Sequence, residues 1–120
     1  MSYSVLIIRP NKQPITLKEW LDYIESDQEL HFLGAFVAVN PKTGERIEAP
    51  APGLAEWIDP KTGEKSWFNH RSGTISVGNA NLDTLIKMHA IAGRFGAIVR
   101  GESGEQYDAA GNILQTYGKS

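Results

Sequence analysis

Two periods of apolar residues alternate along the chain. The run "YSVLII" at 3–8 is β-branched and apolar until "RPNKQP" breaks it, which predicts a strand covered on both faces, then a loop. From there the period lengthens. Leu17, Trp20, Leu21 and Ile24 fall at i, i+3, i+4 and i+7, one apolar stripe of a helix near 16 to 26, with Lys18, Glu19, Asp22 and Glu25 on the wet side. Thr16 and Glu19 have the spacing of a capping box, and Ile15 can staple onto Trp20. A second helix is predicted near 81 to 95, where Asn81 caps, Leu82, Leu85, Ile86, His89 and Ala92 share a side, Phe95 folds under the end and Gly96 closes it in a left-handed conformation. The expected core set from the helices is Trp20, Leu21, Ile24, Leu85, Ile86 and Ala92.

Between the helices the pattern shortens to strands. After a polar stretch, "AFVAV" at 35–39 and the returning "ERIEA" flank "NPKTGE", and "LAEWI" at 54–58 and "EKSWFNH" flank "DPKTGE". In each hexapeptide proline presets the first loop position, Asn40 or Asp59 can accept from nearby amides, and glycine supplies a left-handed residue. The residues flanking the two copies do not match. Two hairpins built on one turn chemistry are therefore expected, not a duplicated site. "APAPG" at 49–53 reads as an extended connector, "RSG" as a turn into "TISV", and "GESGE" and "DAAGN" as turns among short closing strands before a frayed end. The expected fold is α+β: one domain over 1–120, a largely antiparallel twisted sheet of about five to seven strands, two hairpins with PKTG turns, and two helices packed on it.

Composition narrows the setting. At 120 residues the chain can bury a core, its 41% hydrophobic content is ordinary, and the absence of cysteine excludes disulfides, thiolate metal sites and a cysteine nucleophile. Val5 to Ile8 is too short a run for a membrane span, so a cytoplasmic protein is expected. Charge is uneven despite a net −2: Glu19, Asp22, Glu25, Asp27 and Glu29 cluster beside a single Lys18, whereas Lys61, Lys65, Arg71, Lys87, Arg94 and Arg100 dominate the region from 61 to 100. No basic cluster is dense enough to suggest nucleic acid.

Candidate chemistry is sparse. His31, His70 and His89 lack metal-ligand spacing, and Glu102, Glu105 and Asp108 lack the alternation of a calcium loop. Neither Ser72-Gly73 nor Ser103-Gly104 lies in a strand-to-helix elbow. No catalytic residue, cofactor or metal is expected. Trp57 and Trp67, on two strands of one hairpin, could pair across it and, with His70, make a second candidate surface.

The stretch "PGLAEWIDPKTGEKSWFNHRSGTISV" at 52–77 resembles a WW domain in Pro52-Gly53, the "DPKTG" loop, Trp67-Phe68, Asn69-His70 and Thr74. That resemblance covers about a fifth of the chain and implies a groove for proline-rich peptides formed by Phe68, His70 and a second aromatic on the third strand. Leu54 stands where the family has its first signature tryptophan, and Ser76 or Val77 where it has the groove tryptophan. More diffusely, "PITLKEWLDYIESDQEL" and "GTISVGNANLDTLIKMHAIAGRFGAIVRGESGEQYD" are similar to a group of small stand-alone bacterial proteins, some of which are immunity proteins that neutralise a toxin. The leading expectation is thus a non-enzymatic bacterial protein that binds a protein partner, with an immunity-type inhibitor of a basic toxin domain as its leading case. Glu19, Asp22, Glu25, Asp27 and Glu29 would be the contact set. Two alternatives stand beside it: a peptide-binding module using the 54–77 meander, and a small-molecule binder or enzyme whose site the sequence hides.

Overall fold

The structure, a computed structural model, describes residues 3–11 and 13–114. The expected fraying of the last residues concerns 115–120, outside the described residues. Along the chain run β1 (Ser4–Ile8), α1 (Leu17–Ser26), β2 (Leu30–Phe32), β3 (Ala35–Val39), β4 (Arg46–Pro50), β5 (Leu54–Ile58), β6 (Lys65–Arg71), β7 (Thr74–Gly78), α2 (Leu82–Phe95), β8 (Ile98–Gly101) and β9 (Gln106–Tyr107). Seven strands form one antiparallel sheet in the order β2-β5-β6-β7-β1-β8-β9, and β3 pairs only with β4. This is the expected α+β architecture.

Register puts one set of side chains on one face. Val5 lies opposite Val77 and Gly101, Ile7 opposite Ile75 and Val99, and Phe68 opposite Val77 and Ala55. The helices cover that face with Trp20, Ile24, Met88 and Ile91, all within one buried apolar cluster. Trp20 stacks on Phe68 at 6.4 Å between ring centroids and meets Phe95 at 6.5 Å. β1 therefore differs from its expected cover on both faces: Val5 and Ile7 are buried, but Leu6 and Ile8 are half-exposed on the side without helices.

Both helices begin, and α2 ends, on the chemistry read from the sequence. Thr16 and Glu19 make both bonds of the capping box, Asn81 Oδ1 accepts from Thr84 N–H, and Gly96 at φ 62° closes α2. The buried face of α2 is rotated from the expected stripe. It consists of Thr84, Leu85, Met88, Ile91 and Ala92, while Leu82 and Ile86 are exposed on its flank. Leu21 is half-buried at the edge of the core.

Both PKTG loops share one set of hydrogen bonds. Asn40 N–H donates to Glu45 O and Asp59 N–H to Glu64 O, each at 2.8 Å, while Gly44 at φ 74° and Gly63 at φ 78° donate back to Asn40 O and Asp59 O. Their surroundings differ. The second loop is tied to α2, through Lys61 to Asp83 at 3.1 Å and Asn81 to Glu64 at 3.2 Å, whereas the first sits at the tip of an exposed hairpin.

That hairpin, β3–β4, is an arm leaving the sheet between neighbouring strands β2 and β5. Leu33 N–H donates to Leu54 O at 2.9 Å and Ala51 N–H to Gly34 O at 2.9 Å, so the arm prolongs the β2–β5 pair beyond a bend at Gly34 and 51–53. Gly53 fixes the bend. Its carbonyl accepts from Trp20 Nε1 at 2.9 Å and from His70 N–H at 3.0 Å, and a Cβ on it would lie 2.5 Å from His70 Cβ. Gly53→Ala is accordingly expected to cost about 1–3 kcal/mol by overpacking, read as a lowered urea midpoint; an unchanged midpoint contradicts the bend as described. Met88→Ala should cost roughly 2–5 kcal/mol, and Ile86→Ala clearly less. The opposite order would restore the stripe read from the sequence.

Candidate partner-binding surfaces

The five acids of the expected contact set do not form one free patch. Glu19 is drawn inward: its carboxylate takes two bonds from Arg9, at 2.7 and 3.2 Å, and one from Thr16 N–H at 2.9 Å. The Arg9 bonds, with the helix cap behind them, hold the Glu19 carboxyl down at about 2. Asp22 pairs with Lys18 at 2.8 Å on the exposed side, and Glu25 is exposed beside it.

Asp27 and Glu29 meet around one cation. Lys87 Nζ donates to Asp27 Oδ2 at 2.8 Å and to Glu29 Oε1 at 3.0 Å, Tyr23 Oη–H donates to Asp27 Oδ2 at 2.7 Å, and Trp57 Nε1–H donates to Glu29 Oε1 at 2.9 Å. Burial works against the Asp27 charge, but Lys87 and Tyr23 outweigh it and its carboxyl lies below the usual range. Trp57 and then Lys87 lower that of Glu29. Burial, followed by the bond to Asp27, pushes the Tyr23 phenol up. This network ties the end of α1 to β5 and α2. Nothing in the sequence connects Lys87 with acids some sixty positions earlier, and only the fold brings them together.

The second candidate set is split between the two sides of the sheet. Trp57 is opposite Ser66, and Trp67 opposite Glu56. The tryptophans therefore do not pair across the hairpin: Trp57 is 4% exposed under the helices and Trp67 is 48% exposed on the other face. The loop closes Asp59 against Glu64, so counting back from it would have given this register from sequence. His70 is half-buried, bonded through Nε2 to Ile15 O, and Phe68 is fully buried. Neither of the two groove residues implied by the WW resemblance is free to stack on a proline ring.

The expected hairpin at 35–50 is an arm with apolar side chains exposed on both of its sides. Register places Phe36 opposite Ala49 and Ala38 opposite Ile47 on one side, and Val37 opposite Glu48 and Val39 opposite Arg46 on the other. Phe36, Val37, Val39 and Ile47 are exposed by 48, 50, 60 and 58%. Between the arm and the sheet face without helices lies a groove of about 660 Å³, lined by Leu33, Ala35, Phe36, Val37, Leu54 and Trp67, with Arg46 and Glu48 adding one charge of each sign. Apolar surface gathered in this way marks interaction sites more often than scattered exposed residues do. In sequence the corresponding signal is the unbroken apolar run AFVAV of β3, which must place apolar side chains on both sides of a hairpin strand.

Among the described residues no group of three or more His, Asp or Glu side chains could hold a metal ion, and no helix is long and apolar enough to cross a membrane. Glu105 accepts from the hydroxyls of Tyr3 and Tyr107, tying its loop to the residue before β1, and Asp108 Oδ1 accepts from the N–H groups of Ala110 and Asn112 within its own turn. No family model matches the chain, and no curated protein or solved structure is significantly similar to it.

The Lys87 network yields a pH prediction. Asp27 and Glu29 titrate lower in the fold than in the unfolded chain, where carboxyls lie near about 4. Their contribution to stability is complete above that range and is lost as pH falls through the depressed folded values. Lys87→Met is expected to lower stability near neutral pH by roughly 1–3 kcal/mol and to flatten the acid-side loss. Urea midpoints at neutral and acid pH check this; parallel pH curves for the two proteins would contradict it.

Proposed function

We propose that the protein is a binding protein for a protein partner, and that the partner docks on the β3–β4 arm and the groove between the arm and Trp67. The observation that carries this reading is the run of exposed apolar side chains from Phe36 along the arm to Ile47, beside exposed Trp67. Tryptophan is one of the side chains on which interface energy concentrates, and phenylalanine is enriched in interface cores. An isolated two-stranded ribbon with apolar residues on both sides is marginal in water, and contact with another chain gives it cover.

Relative to the expectation of an acidic contact face, this reading moves the surface. Glu19, Asp27 and Glu29 are engaged by Arg9 and Lys87 within the chain, which leaves Asp22 and Glu25 as the freer pair. An immunity-type inhibitor remains a specific form of the proposal, with the arm as its gripping element and the acids of α1 acting on the encounter rate.

The test compares three proteins in affinity purification from their native cells: the wild type, a Trp67→Ser/Phe36→Ser variant and an Asp22→Lys/Glu25→Lys variant. All four positions are exposed, so each variant should keep its thermal midpoint. A stoichiometric protein held by the wild type and the acidic-face variant but lost from the Trp67/Phe36 variant is the expected result. Loss from the acidic-face variant instead would return the contact to α1. A wild type that retains nothing contradicts the proposal.

A further inference from the structure

The outer edge of β4 is complementary to itself. Because both backbone groups of Asn40 are bonded across the loop, its N–H donating to Glu45 O and its carbonyl accepting from Gly44 N–H, the antiparallel alternation counted back from Asn40 makes Ala38–Ile47 and Phe36–Ala49 the bonded pairs of the arm. The N–H and C=O of Ile47 and Ala49 thus point at β3, whereas those of Arg46 and Glu48 point outward, where among the described residues no strand pairs with them. The side chains of Arg46 and Glu48 are 66% and 57% exposed and reach each other only at 3.4 Å along the strand.

An antiparallel partner on this edge is held to few registers. Backbone groups must meet, so residues of even number face residues of even number. A two-fold axis through Ile47 sets Arg46 against Glu48 of the second copy and Glu48 against its Arg46, giving two cross-strand ion pairs and four backbone hydrogen bonds. Sliding one way sets Arg46 against Arg46, and the other way Glu48 against Glu48, and like charges directly opposite are destabilising. Pro50, which has no N–H, and Gly44, whose N–H is used by Asn40 O, end the ladder on either side. Natural edges that avoid pairing carry charges that repel a second copy. This edge instead carries one charge of each sign at the spacing that attracts one.

We propose that two copies of this chain pair through β4, antiparallel about Ile47, to make the four-stranded ribbon β3-β4-β4-β3. The proposal rests on the reading of the arm as an interaction surface and names one of its partners. Such an isologous contact closes on itself and leaves no β4 edge for a third chain. It also joins Phe36, Ala38, Ile47 and Ala49 of both copies into one apolar face.

The test is a charge swap, with oligomeric state read by sedimentation velocity and native mass spectrometry. The wild type is expected to dimerise with concentration. Glu48→Arg alone and Arg46→Glu alone should each dimerise roughly ten-fold or more weakly, since both ion pairs become like-charge contacts. An equimolar mixture of the two variants should recover the wild-type affinity as a complex of one copy of each, because every pair is again Arg against Glu. Unchanged thermal midpoints would show that both variants are folded. A wild type monomeric up to millimolar concentration overturns the pairing, as does either variant dimerising like the wild type, or a mixture that stays monomeric. Should the wild type prove monomeric while partner capture still depends on Trp67 and Phe36, the pairing falls and the partner reading stands. Dimers rescued by the swap, with no partner captured, would give the converse.

Discussion

The carbonyl of Gly53 is the point on which three parts of the molecule converge. The indole of Trp20 and the backbone of His70 both donate to it, and the space a side chain would fill is occupied by His70 Cβ. Trp20, with Phe68 stacked on its ring and Phe95 tilted against it, brings α1 to this carbonyl, so a buried indole N–H that would otherwise be costly is satisfied. The same peptide turns the chain from β4 into β5. Placement of the helix and direction of the arm are consequently set by one residue.

From that bend follows the partition of apolar residues. Both helices lie on one face of the sheet, where Ile7, Phe68, Ile75, Met88 and Ile91 are sealed from water. The arm starts beyond the sheet, and its Phe36, Val39 and Ile47 have no part of that core to enter. The molecule is correspondingly long, 54 × 30 × 28 Å. A hairpin loop with identical bonding at the other PKTG site is anchored to α2 by Lys61 and Asn81. Chemistry of the turn fixes a hairpin's shape, and what its strands face decides whether it becomes core or surface.

Local chemistry was legible in the sequence. The capping box of α1, the Asn81 cap, the left-handed Gly96 and the twin loops all arise from residues within a few positions of one another, where side chain and backbone decide alone. What failed depended on distance along the chain. Glu19, Asp27 and Glu29 read as part of a free charged face because Arg9 and Lys87 reach them only after folding. Tryptophan reads the same buried or exposed, so Trp57 and Trp67 were separated only by register. β2 is three residues within a polar stretch and pairs because β5 offers it an edge. On α2, Leu82 and Ile86 leave the expected stripe for a flank where Gly111 of the closing segment, outside the main core, is their neighbour. Of the candidate site, Trp67 and the hairpin are legible in sequence, whereas the separation of the arm from the core is not, because it depends on the bend at Gly53.

Amide hydrogen exchange along β4, followed as protein concentration rises, tests most directly whether the arm stands free of the core with an edge available to another chain. Ile47 and Ala49, bonded to β3, should exchange more slowly than Arg46 and Glu48 when dilute, and all four should gain protection when concentrated. Arg46 and Glu48 exchanging as unpaired amides at all concentrations would contradict the self-pairing edge. Exchange of all four at that rate would mean that the arm itself is not formed.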